Sequence, residues 1–213
     1  MPVQQRGVPR PTDSQKDVFM ANDMTLEQLF TEARSYKFFS DKPVSEDQLR
    51  ALYDVAKFAP SASNSCPMRI TFVMSPEGKE RLLQASLPGN VEKIKSAPVT
   101  VIIAYDMAFF ENYPRLAPHM DNPPKEASLP EAAVEKLALR NSSLQAGFLM
   151  TVARGMGLDC GPMSGFKNAV VDELFYEGTT WRSNFLINLG YGVGEKLHGR
   201  AARLDFDEAC QIV

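Results

Sequence analysis

Apolar residues recur at helical spacing along much of the chain and gather into short β-branched runs in three places. Leu26, Leu29, Phe30 and Ala33 fall at i, i+3, i+4 and i+7 behind Thr25, a residue able to cap a helix. A second helix opens at Pro43-Val44-Ser45, where Ser45 and Gln48 have the spacing of a capping box. Leu49, Leu52, Val55, Ala56 and Phe58 continue it as far as Pro60. Arg69 to Met74 reads as a strand, with β-branched and aromatic residues between prolines. Short helices are expected at 76–84 and 89–96. Val99 to Ala104 is a near-continuous apolar run, the pattern of a strand covered by helices on both faces.

The longest helix is expected from Pro130 to Met156. Ala133, Leu137, Leu144, Phe148, Leu149, Val152 and Met156 mark its buried side, and Gly157 stands at the C-cap. Phe185 to Leu189 is a third strand, ended by Gly190. Between strand and helix, residues 106–130 are rich in proline and irregular, which suggests a lid or a disordered loop. Residues 1–22 have three prolines and no period, and read as a flexible N-terminal arm. The remainder, 23–213, reads as one domain of α+β (mixed α/β) class, a sheet sandwiched by helices.

Composition narrows the function more than the fold. The net charge is −3, so no broad basic surface for nucleic acid is expected, although a local cationic pocket is still possible. Cys66, Cys160 and Cys210 are far apart and form no CxxC pair, which points to reduced thiols in a cytoplasmic protein. No apolar run approaches the ~20 residues of a spanning helix, and the first residues lack the apolar core of a signal peptide. His119 and His198 are distant from one another and from any cysteine, so no metal site is expected. Gly190-Tyr191-Gly192-Val193-Gly194 lacks the third glycine of a dinucleotide loop and reads as a turn after a strand. Met163-Ser164-Gly165 lacks the first glycine of a nucleophile elbow.

Several polar segments stand out together. Arg34, Ser35 and Lys37 place two cations and a hydroxyl within four residues. Pro60-Ser61-Ala62-Ser63-Asn64 offers hydroxyls, an amide and backbone N–H groups. Asn90 and Lys93 share a helix face. Gly161-Pro162-Met163-Ser164-Gly165 permits a tight turn with inward amides, and His198 and Arg200 add polar and cationic groups near the end.

In this order the segments resemble the nitroreductase family over about residues 24 to 213. Arg34-Ser35-Tyr36-Lys37-Phe38-Phe39 followed by Pro43-Val44 is similar to the family's opening motif, and Ala59 to Pro67 to its Pro-flanked loop. Finer features resemble the subgroup that includes malonic semialdehyde reductase. They are Asp41 to Ser45, Arg140 to Ala146, Gly157-Leu158-Asp159, Gly161 to Phe166, and Leu186 to Gly192. The sequence departs from the family at Ala33, where many members carry arginine, at Cys66 and Met68 in place of Gln and Trp, and at Ser164 in place of Glu.

The resemblance implies a central, mostly antiparallel sheet flanked by helices, and FMN bound without a covalent bond at the interface of an intertwined homodimer. It implies that Arg34, Ser35, Lys37, Arg200 and His198 hold the phosphate and ribityl end. Pro60, Ser61, Ala62, Ser63 and Asn64 would line the flavin from the partner subunit. Asn90 and Lys93 would approach the pyrimidine edge, with Lys93 favouring the anionic reduced ring. Pro162 and Met163 would belong to the cofactor-binding set, and the amides of Ser164 and Gly165 would meet the ring. The implied activity takes a hydride from NADH or NADPH and passes it, in ping-pong fashion, to a small-molecule acceptor. That acceptor would be malonic semialdehyde, giving 3-hydroxypropionate, or a nitroaromatic or quinone. Two alternatives remain open: a flavin-binding protein for storage or sensing without robust turnover, and a structural protein whose loops bind nothing.

Overall fold

The computed structural model describes residues 24–120, 125–194 and 197–213. The expected arm at 1–22 lies outside them, as do residues 121–124 of the proline-rich stretch. Four antiparallel strands form one sheet in the order β1-β2-β4-β3. They are β1 (Met68–Val73), β2 (Val99–Asp106), β3 (Asp159–Met163) and β4 (Trp181–Gly190). β2 is buried at every position, as its unbroken apolar run predicts.

Five helices of eight or more residues surround the sheet among the described residues: α1 (Glu46–Ala56), α2 (Pro76–Leu83), α3 (Pro88–Ser96), α4 (Glu131–Gly155) and α5 (Asn168–Tyr176). Ser45 caps α1 with the predicted box. Its Oγ accepts from the Gln48 amide at 3.2 Å, and its own amide donates to Gln48 Oε1 at 3.0 Å. One core cluster joins α1 and α4 to one face of the sheet through Leu49, Leu52, Leu149, Val101 and Ile187. A second joins α2, α3 and α5 to the other through Leu82, Ile94, Val171, Ile102 and Leu186.

Several expectations are corrected. Asp159–Met163 is a strand rather than only a turn, because β3 is an edge strand and tolerates Pro162 and Gly161. β4 begins four residues earlier than Phe185, and α5 lies where no helix is read from the pattern. The first helical stretch shortens to a π-helical turn, Glu27–Thr31, without a buried residue. Leu26, Phe30, Leu144 and Phe148 are exposed within the chain, so the apolar faces they mark are not covered by its own core. The 106–130 stretch is not structureless where it is described. It makes short turns at Phe109–Asn112, Tyr113–Leu116 and Lys125–Ser128, and Phe109, Tyr113 and Ala117 pack with Tyr105, Val134 and Ala138 into a satellite core.

Candidate functional site

The segment carrying Arg34, Ser35 and Lys37 is a strap laid across the sheet edge. Ser35 bridges to Cys160 of β3, and the Tyr36 amide donates to the Cys160 carbonyl at 3.0 Å. Further on, Phe39 bridges to Gly192, and the Ser40 amide donates to the Tyr191 carbonyl at 2.9 Å. The strap can lie this close only because Gly161 has no side chain: a Cβ there would fall on the carbonyl oxygen of Tyr36. Burial raises the Tyr36 hydroxyl above its ordinary pKa, and Asp159 adds to this while Arg34 opposes it. Burial pushes the Cys160 thiol up to about 12, which leaves it a packing residue.

Beside the strap lies a cavity of about 680 Å³ lined by Arg34, Arg154, Arg200 and Arg203, together with Ser35, Ala33 and Gly199. Among the described residues no carboxylate lines it. Arg34 donates to the carbonyl of His198, and Arg200 to the carbonyl of Ala33 at 3.0 Å, so the C-terminal segment and the strap hold each other. Arg154, in the last turn of α4, gives one guanidinium nitrogen to the Leu29 carbonyl at 2.9 Å, while its buried Nε has no acceptor among the described residues. Of the predicted residues, Arg34, Ser35 and Arg200 meet here. His198 contributes a backbone carbonyl rather than its ring, and Lys37 is half-buried farther along the strap.

Arg154 and Arg203 are additions that the sequence reading missed. The one signal for Arg154 is a cation ending a largely apolar helix, and that residue type also suits the helix dipole.

A second group gathers at α3. Lys93 Nζ donates to Asn90 Oδ1 at 2.8 Å, and Asn90 Nδ2 donates to the Gly165 carbonyl at 3.0 Å. That carbonyl also accepts the amide of Leu87, which immediately precedes α3, at 3.0 Å. A Cβ on Gly165 would strike the Asn90 amide, so glycine permits the approach. Met163 ends β3, and Pro162 and Ser164 are exposed beside it.

The third group stays apart. Ser61 to Cys66 folds onto itself: Ser61 Oγ accepts from the Cys66 amide at 3.0 Å, and the Asn64 amide donates to the Ser61 carbonyl at 3.1 Å. Asn141 of α4 accepts the Ala62 amide at 2.7 Å, and Asn64 Nδ2 donates to the Leu116 carbonyl at 2.8 Å. Ser63, Asn64 and Cys66 have φ of 54°, 51° and 42°, a left-handed backbone that favours glycine. Pro60, ahead of them, is exposed. Asn64 and Cys66 line a separate cavity of about 770 Å³ along β1. No hydrogen bond or cavity among the described residues joins this loop to the arginines.

Among the described residues there is no group of three or more His, Cys, Asp or Glu placed to hold a metal ion. No described helix is long and apolar enough to cross a membrane.

Comparison with known proteins agrees with the geometry. The nitroreductase family model matches residues 31–191. A protein of Stutzerimonas stutzeri, provisionally named an NADH dehydrogenase/NAD(P)H nitroreductase, is 50% identical over 187 residues, 88% of this chain and 95% of its own. A Rhodopseudomonas palustris protein of the same provisional name is 47% identical over 191 residues, 90% and 97% of the two chains. Among solved structures, one from Exiguobacterium sibiricum, described as a nitroreductase in complex with FMN, superposes with a TM-score of 0.78 at 20% identity, covering 91% of this chain and 99% of that one. One from Staphylococcus epidermidis, described as an NAD(P)H:FMN oxidoreductase, gives 0.78 at 20% identity over 91% and 98%. With a family model spanning most of the fold and relatives near half identity along almost their full length, this chain belongs to the nitroreductase family.

Proposed function

We propose that the protein is an NAD(P)H-dependent oxidoreductase that binds FMN and reduces a small acceptor. The observation that carries this reading is the cavity of four guanidinium groups, without a lining carboxylate among the described residues and with one buried donor, Arg154 Nε, that finds no acceptor among them. Like charges gathered in this way repel unless an anion joins them, and planar guanidinium suits a phosphate dianion. The residues present therefore fit the cofactor. Arg34, Arg154, Arg200, Arg203 and Ser35 would hold its phosphate. Lys93, Asn90 and the turn at Gly165 would hold the ring edge, where the ammonium would stabilise negative charge on the pyrimidine side.

When bound, FMN supplies a reversible hydride carrier. The protein's own residues bind, orient and keep water out, and no titrating nucleophile is needed. NAD(P)H would leave as NAD(P)⁺ before the acceptor enters the same face, which gives ping-pong kinetics. An aldehyde acceptor takes up one hydride and one proton and leaves as the alcohol. The subgroup motifs favour malonic semialdehyde, reduced to 3-hydroxypropionate. Nitroaromatics and quinones are the broader acceptors.

The functional unit in this reading is an intertwined homodimer. The exposed Leu144 and Phe148 on α4, and a C-terminal segment exposed from His198 to Val213, need a covering partner. A second chain would also bring its Pro60–Asn64 loop to the first chain's arginine cavity.

The test adds FMN to purified protein, removes free cofactor by desalting and records visible absorbance. Anaerobic NADH or NADPH should then bleach it, and aldehydes, nitroarenes and quinones should restore it at different rates. A colourless desalted protein overturns the reading. Retained colour without reoxidation by any acceptor supports the storage alternative instead.

A further inference from the structure

The centre of the sheet holds a polar pair where an apolar one would fit. Thr100 of β2 and Asn188 of β4 face each other in register, 0% and 1% exposed, beside Val99 and Val101 at 0% and 1%. Burying a hydroxyl and an amide is costly unless both are bonded. Thr100 Oγ1 donates to Asn188 Oδ1 at 2.8 Å, which turns the amide so that Nδ2 donates to the backbone carbonyl of Lys93 at 2.9 Å.

That carbonyl needs a partner. It is among the last four of α3, and the chain leaves the helix at Ala97 with extended φ and ψ of −77° and 135°. Pro98 follows without an N–H. Ser96 Oγ gives the carbonyl a second hydrogen bond at 3.0 Å. The side chain of the same Lys93 reaches Asn90, and Asn90 reaches Gly165. Two sets of hydrogen bonds therefore meet at Lys93, one from the sheet interior on its backbone carbonyl and one from its side chain toward the candidate site. α3 is pinned at its start by Gly165 and near its end by Asn188.

We infer that Asn188, oriented by Thr100, is a positioning residue that sets where Lys93 and Asn90 stand toward the cofactor's ring edge. This rests on the FMN reading above. The sheet interior moves little, so an anchor there gives the end of α3 a fixed reference that surface contacts would not. If the Lys93 ammonium is held near the edge that gains negative charge on reduction, loosening its anchor should weaken binding of the reduced cofactor more than of the oxidised one.

The test measures FMN affinity, the midpoint potential of bound FMN, and thermal stability in the full-length protein. Asn188→Leu should weaken the reduced form about tenfold relative to the oxidised form, a midpoint potential lower by about 30 mV for two electrons. Thr100→Val keeps the shape and the Asn188 donor while freeing its orientation, and should shift the potential in the same direction by about half as much. It also serves if Asn188→Leu does not fold. In a Lys93→Ala background both changes should lose most of their shift, since the charge they act through is gone. Lowered stability with an unchanged potential in both variants would overturn the inference, as would a full shift persisting without Lys93. A wild-type protein that retains no FMN overturns the functional reading itself, before any variant is compared.

Discussion

Arg34, Arg154, Arg200 and Arg203 hang from three separate parts of the chain and still meet in one cavity, whereas Ser61 to Cys66 are contiguous and bond mainly to one another. The arginines are held by the strap, the end of α4 and the C-terminal segment; Arg34 and Arg200 donate to carbonyls of each other's segments, and Arg154 donates to the carbonyl of Leu29. The loop is prefolded, with a strained backbone, and leans on α4 and the 113–116 turn. One region gathers positive charge that no carboxylate among the described residues lines. The other has a display of small polar groups, anchored to α4 and the 113–116 turn, that stands apart from the arginines of its own chain. In the proposed dimer the two are halves of one site drawn from different subunits, and their different construction follows from that. The half that grips a dianion gathers cations from a distance, and the half presented across an interface carries its shape with it.

The severest way to break this picture is to remove charge from the cavity. Hydrogen bonds to charged groups contribute about 1.5–3 kcal/mol each. Arg34→Ala combined with Arg200→Ala should therefore weaken FMN binding by roughly two to four orders of magnitude, read by flavin fluorescence on titration. Inorganic phosphate should compete with FMN for the wild-type protein and hardly at all for the double variant. Unchanged affinity would place the phosphate elsewhere.

Mixing variants asks whether the halves come from different chains. A chain with Arg34→Glu and a chain with Ser63→Trp should each fail to bind FMN as a homodimer. Refolded together in equal amounts they should regain about a quarter of the sites, because half of the dimers are mixed and each mixed dimer has one intact site. No recovery would mean that each chain completes its own site.

Much of this is legible in the sequence, and the parts that are not share a physical cause. The capping box at Ser45, the apolar run of β2 and the long helix α4 are local patterns, set by residues three or four apart or by a single period. β3 was hidden because Gly161 and Pro162 punctuate it, and only its place at the sheet edge makes them acceptable. Leu144 and Phe148 look like core on any helical projection, yet the chain's own core does not cover them. At the candidate site, contiguous motifs such as Arg34-Ser35 were readable. Arg154 and Arg203 were not, since isolated arginines gain meaning only when folding brings them beside the strap.

The glycine that admits the strap offers a test of intermediate size. Gly161→Ala would set a methyl group against the Tyr36 carbonyl, backbone against backbone, with no flexible side chain to yield. Overpacking of this kind costs about 1–3 kcal/mol, a fall in melting temperature of roughly 2–12 °C for a chain of this size. FMN affinity should fall with it, because the strap carries Arg34. The cysteines separate the regions by reactivity. Cys160, buried with its pKa raised to about 12, should stay silent to thiol reagents until the protein unfolds. Cys210 is exposed within one chain but lies in the segment that the partner would cover, so it should react slowly in the dimer and fast once the subunits are separated. Cys66 should react in the free protein and slow severalfold once FMN is bound, if its loop closes over the cofactor.

The smallest effect tests the loop's backbone. Ser63 has φ 54° and ψ 28° inside a single turn of 3₁₀ helix, a left-handed conformation that costs a non-glycine residue about 1–2 kcal/mol. Ser63→Gly removes that strain but gives the unfolded chain more freedom, which offsets part of the gain. The net expectation is a rise of up to about 1 kcal/mol in unfolding free energy, measured by urea denaturation. A serine kept at such a position has a use for its hydroxyl or for the stiffness of its backbone. If the loop serves FMN, the glycine variant should be the more stable protein and the weaker binder, by a few-fold. A variant that gains stability and binds FMN as tightly as wild type would separate the strain from the site and leave the loop a matter of folding alone.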